Sequence, residues 1–180
     1  MAIKRYTADA DTTITDAYDA NLITRAEDAN MGESDILETF GIYAQQATSS
    51  HEKSRILTKF PISDVVADRA SGLIPKSGSV NFFLYLSNAK HTETTPKDFT
   101  LNVLAVSQSW DEGYGLDMET YQDLGTANWI SASCLNGTAS AWVNPGGDYF
   151  ASPAYSDFFD KGTEDLEVDI TGLVEEWIDG

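Results

Sequence analysis

What most constrains this chain is an ordered series of short β-branched and aromatic runs that ends in a change of period. The runs are Asp11–Asp16, Ser54–Phe60, Val80–Leu86 and Leu101–Ser107, the last followed by Trp110. In the final unit Leu166, Val168 and Ile170 alternate as in a strand. Leu173, Val174, Trp177 and Ile178 then take the i, i+3/i+4 spacing of a helix. Strand-length runs separated by turn-rich stretches predict an all-β protein, an antiparallel jelly-roll-like β-sandwich with a short C-terminal helix. Thr171 is the expected N-cap of that helix, and Gly180 the expected stop.

Other segments read less directly. Ile36 to Tyr43 alternates with apolar residues on both faces, which predicts a strand covered on two sides or lying at an interface. Gln45 to Glu52 is polar and reads as a loop. Pro61 closes the strand before it, and Ile62 to Ala70 has the spacing of a short helix capped by Ser63 or Asp64. Gly113 to Tyr155 is long, rich in Gly and Asn, and without a strong period. A short strand is expected inside it around Ala139 to Val143. No repeat, low-complexity tract or linker interrupts residues 1–180, so one domain is expected. A chain of this length buries roughly 70% of its unfolded surface and needs neither disulfide nor metal to fold.

Charge excludes some partners. The net charge is −18, and from Asp98 onward there are 16 acidic residues against one cation, Lys161. Nucleic-acid binding needs clustered Lys and Arg, and anionic membrane surfaces repel such a chain, so neither partner is expected. The acidity serves solubility, or suits a partner with a basic docking surface. Neither a secretory h-region nor a run of about 18 apolar residues occurs. The lone Cys134 fits folding in a reducing cytoplasm.

Chemistry is thin. His51 and His91 lie in polar stretches away from any nucleophile-like Ser or Cys, and Cys134 reads as a bystander thiol. No P-loop, dinucleotide fingerprint or His-x-x-x-His spacing occurs. The expectation is a protein that is not an enzyme and has no cofactor. Asp9, Asp11 and Asp16, or the loop at Asp148, could offer oxygen ligands to structural calcium, but no calcium-loop spacing supports it. Trp129, Trp142, Tyr149 and Tyr155 lie in the loop-rich segment. They are the candidate contacts for a glycan or a partner subunit, and burial in the core is the stronger competing reading. Trp110 and Trp177 are expected in the core.

Several motifs stand in a fixed order: Asp11, Thr12 and Ile14; Asn30 and Gly32; Arg55, Leu57, Lys59 and Phe60; Leu84, Tyr85 and Leu86. Then come Val106, Ser107, Trp110 and Glu112; Gly146, Gly147 and Asp148; and Val168, Asp169, Ile170 and Thr171. In this order the chain resembles the DNRLRE-type β-sandwich domains, which also occur as carbohydrate-binding modules. The wording of residues 1–6, 35–38 and 54–61 is similar to virion structural proteins of marine tailed phages. The resemblance implies a capsid decoration, neck or tail protein, folded in the host cytoplasm and resident in the virion. Its partners would be other virion proteins or copies of itself, with a glycan as a further candidate. In such relatives further sandwich strands follow the position of Gly180.

Overall fold

In a computed structural model the chain is described over residues 3–43, 51–92, 94–117, 126–135 and 138–180, with only the backbone described at Tyr43, Cys134, Leu135 and Ala139. Strand β1 (Ala10–Thr15) pairs antiparallel with β3 (His51–Lys59), Ile14 opposite Arg55 and Thr12 opposite Leu57. The other edge of β3 takes β2 (Gly41–Tyr43), giving the order β1-β3-β2. Helix α1 (Ile62–Ala70) follows, then β4 (Phe83–Leu86) and β5 (Phe99–Val106). Strands β6 (Ser131–Leu135) and β7 (Thr138–Ala141) form a hairpin. After them come β8 (Tyr149–Phe159), β9 (Leu166–Asp169) and helix α2 (Thr171–Asp179). Sheets β4-β9, β5-β8 and β6-β7 have two strands each. The fold is all-β and its registered pairings are antiparallel, with a short C-terminal helix, as the sequence predicts.

The backbone gathers into two compact units. Unit 1 comprises Met1–Phe60 and Val106–Tyr149; unit 2 comprises Pro61–Ala105 and Phe150–Gly180.

Unit 1 is built on the two faces of the β1-β3 pair. One face sends Ile14 and Leu57 into an apolar core with Trp110, Ala127, Trp129, Ala132 and Trp142. The opposite face is polar yet buried: Thr13, Thr15, Glu52 and Ser54 are all nearly inaccessible. Hydroxyls there serve a neighbouring stretch of backbone. Thr13 Oγ1 accepts from the Glu38 N–H at 2.9 Å, and Ser54 Oγ accepts from the Phe40 N–H at 2.7 Å while donating to the Glu38 carbonyl at 3.0 Å. This corrects the strand expected over Ile36–Tyr43. Side chains occupy both backbone groups of Glu38 and the N–H of Phe40, while the Phe40 carbonyl accepts from the Ser54 N–H at 3.1 Å, and only Gly41–Tyr43 pairs as a strand.

Two of the ordered motifs lock together in unit 1. Asn30 is fully buried, and its amide makes four bonds. Nδ2 donates to the carbonyls of Glu112 (2.7 Å) and Ala127 (2.8 Å); Oδ1 accepts from the N–H groups of Gly32 (3.0 Å) and Gly115 (2.8 Å). The backbones approach so closely that a Cβ on Gly115 would lie 1.9 Å from the Asn30 carbonyl oxygen. Glu112 closes the junction by accepting from the Asp11 N–H at 2.6 Å. Burial, and then the Glu112 charge, push the Asp11 carboxyl above its ordinary value.

Unit 2 has its own buried set, including Val65, Ile74, Leu84, Leu166, Val168, Ile170, Leu173 and Val174. Phe99 and Phe159 stack with centroids 4.9 Å apart. Arg69 of α1 makes a two-pronged contact with Glu175 of α2, at 3.0 and 2.8 Å. That bond, more than the charge alone, holds Glu175 below its ordinary value. Neither helix begins on a side-chain cap: Pro61 precedes α1 and Ile170 precedes α2. The expected caps at Ser63, Asp64 and Thr171 are corrected accordingly. Thr171 Oγ1 instead accepts from the Phe82 N–H at 2.8 Å. Gly180 ends α2 at φ +98° as expected, its N–H reaching the Glu176 carbonyl at 3.2 Å.

Candidate functional site

The loop between β7 and β8 must reverse within a few residues, and Asp148 organises it. Its carboxylate accepts from the Val143 N–H (2.6 Å), the Asn144 N–H (3.0 Å) and the Asn144 side-chain amide (3.0 Å). These bonds, the Val143 N–H foremost, hold the Asp148 carboxyl below its ordinary value. Gly146 and Gly147 follow at φ +92° and +98°, a backbone region where side chains are strained. At Gly146 a Cβ would also lie 2.8 Å from the Trp129 ring.

Arg55 reaches this loop from β3. Its Nη1 donates to the Gly146 carbonyl. The guanidinium lies 5.2 Å from the Trp129 ring centre and 5.4 Å from that of Tyr149, so it is bracketed by two rings. Around it opens a pocket of ≈ 300 Å³ lined by Arg55, Asn144, Pro145, Gly147, Asp148 and Tyr149. Asp148 and Asn144 are bonded to each other and shape the wall, which leaves a planar cation and a half-exposed phenol ring to hold a hydroxyl-rich ligand by stacking and hydrogen bonds. Among the described residues the lining contains no serine, cysteine or histidine.

The four aromatic candidates do not assemble into one site. Trp129 and Trp142 are 6% and 5% exposed and belong to the unit 1 core. The Trp142 indole N–H is spent on the Asn128 carbonyl at 2.9 Å. Their expected role as glycan or partner contacts is corrected: a ring sealed on both faces cannot stack on a ligand. Tyr149 is 46% exposed and lines the pocket. Tyr155 is half-buried and belongs to unit 2. Of the two tryptophans expected in the core, Trp110 is buried, whereas Trp177 is 40% exposed. Sequence reasoning missed Arg55 as a pocket residue. Its one signal is a cation placed among apolar strand positions, opposite Ile14.

Two of the carboxylates considered for calcium have other occupations. Asp16 accepts from the Lys53 N–H at 2.5 Å and lies 3.6 Å from Arg25; Asp148 is committed to its own turn. Among the described residues no group of three or more His, Cys, Asp or Glu is placed to hold a metal ion. The side chain of Cys134 lies outside the described residues, and among those described no helix is long and apolar enough to cross a membrane. No protein-family model, curated protein or solved structure matches the chain.

Proposed function

We propose that this chain is a non-enzymatic structural component of a phage virion, a capsid decoration, neck or tail protein that works through contacts with neighbouring subunits. The observation that carries the reading is where unit 2 puts its rings. Phe83 and Tyr85 on β4, and Phe150 and Phe158 on β8, are each more than half exposed. Large apolar groups at outward strand positions are what a subunit interface buries. The setting in a virion rests on the similarity of residues 1–6, 35–38 and 54–61 to phage structural proteins. The test is mass spectrometry of purified particles together with sedimentation of the isolated chain. The expected result is the chain in particles at stoichiometric level. A chain absent from particles and monomeric at every concentration would remove the proposal.

The pocket at Tyr149 favours a second reading, a glycan-binding module carried on the particle surface. Tyr149→Ala should abolish retention on a glycan array while leaving the melting curve unchanged. Equal retention by wild type and variant would count against this reading.

A further inference from the structure

The β4-β9 sheet separates its two faces cleanly. Phe83 stands opposite Asp169, and Tyr85 opposite Glu167; Leu84 stands opposite Val168, and Leu86 opposite Leu166. Directly opposed residues project to the same side. Leu84, Leu166 and Val168 are buried, so their face is the inner one. The outer face carries the rings of Phe83 and Tyr85, 53% and 56% exposed, beside the exposed carboxylates of Glu167 and Asp169. Asp165 adds a third carboxylate, accepting from the Tyr85 hydroxyl at 2.5 Å and from the Asn88 N–H at 2.8 Å.

We infer that this outer face docks an arginine-bearing segment of a partner protein. The inference rests on the structural role proposed above and names the chemistry of one partner. Guanidinium groups satisfy both halves of the surface, because they pair with carboxylates and stack on aromatic rings. The same face of a second copy does not fit. Two-fold docking of the face on itself would bring Asp165, Glu167 and Asp169 up against the same three carboxylates of the copy, a like-charge contact. The surrounding sequence supplies no relief, since nine carboxylates from Asp157 to Asp179 are accompanied by the single cation Lys161. A hydrated metal ion would use the carboxylates but not the rings. Hydrogen bonds fix the anionic side in place: Asp169 accepts from the Thr171 N–H at 2.9 Å and from Asn81 Nδ2 at 3.0 Å.

The test titrates hexa-arginine peptide against the full chain at low salt, with melting curves confirming that each variant folds. Glu167→Lys should weaken binding about tenfold, through the loss of one charge pair and its reversal. Asp35→Lys, an equal charge change in unit 1, should alter it less than about twofold. Phe83→Ser keeps every charge and should still weaken binding about threefold through the lost stacking. Equal weakening by Glu167→Lys and Asp35→Lys, or no effect of Phe83→Ser, would reduce the interaction to diffuse attraction and overturn the inference. If that happens while the chain still sediments with particles, the structural role stands and only this partner chemistry falls. Site-specific peptide binding by a chain absent from particles would do the reverse.

Discussion

In unit 1 the large rings Trp110, Trp129 and Trp142 are each less than a tenth exposed, although two of them come from an irregular, glycine-rich segment. In unit 2 Phe83, Tyr85, Phe150 and Phe158 are each more than half exposed, although all four lie on regular strands. The difference follows from backbone geometry. An irregular segment has few regular faces to bury, so it is anchored by single large side chains that reach inward, with Asn128 and Asn30 satisfying the backbone around them. A strand projects every second residue outward whatever its chemistry, so aromatic residues on both sides of a two-stranded sheet leave half of them outside. The three tryptophans of unit 1 therefore anchor an interior, and the four strand rings of unit 2 are presented at the surface.

The strongest test of that contrast is Asn30→Ala. Removing the amide strands two carbonyls and two N–H groups in a fully buried place, each costing about 1–3 kcal/mol. A loss on the order of 5 kcal/mol is expected in urea unfolding, enough to depopulate a marginally stable fold. A loss below about 1 kcal/mol would show that water replaces the amide. Next comes Trp129→Ala, with an expected cost of about 4 kcal/mol from the cavity. It would also loosen Arg55 and the Gly146 turn, so the Tyr149 pocket should change with it. A folded variant with normal stability would break the assignment of Trp129 to the core.

Much of this arrangement is legible in the residues and some is not. Strands β1, β3, β5 and β9 show alternation or β-branched composition, and both helices show their spacing, because in those elements one face packs inward. β8 hides because it carries Pro153 and shows Phe150 and Phe158 on its exposed side, so its pattern resembles neither template. The segment Ile36–Phe40 misleads in the opposite sense. It alternates like a strand, yet the hydroxyls of Thr13 and Ser54, distant in sequence, take the N–H groups of Glu38 and Phe40. For the pocket, Tyr149 is visible as a loop aromatic. Arg55 is not, since only the fold brings a strand cation to the carbonyl of Gly146.

A smaller effect separates the turn from the core beneath it. Asp148 has a folded-state carboxyl value below the ordinary 3.8, owed first to the Val143 N–H. A depressed carboxylate contributes stability that is complete above the unfolded value and is lost as pH falls through the folded one. Melting temperature should therefore decline on acidification below about pH 4. Asp148→Asn should flatten that decline while lowering the neutral-pH value only slightly, because the amide oxygen still accepts. An unchanged acid limb in the variant would mean that other carboxylates, Asp165 and Asp169 among them, dominate the acid response.

The smallest expected effect is the one that most sharpens the contrast. Phe83→Ser combined with Tyr85→Ser removes two large rings from β4, a change that in unit 1 would empty part of the core. Here both rings project outward, and the inner partners Leu84 and Val168 keep their packing. The sheet loses some β-propensity and the hydrogen bond from the Tyr85 hydroxyl to Asp165, both at the exposed surface. A shift within about 0.5 kcal/mol is expected in chemical denaturation, close to the range of ordinary surface substitutions. A loss approaching that of Trp129→Ala would place these rings in an interior after all, and the distinction between an anchoring unit and a presenting unit would collapse with it.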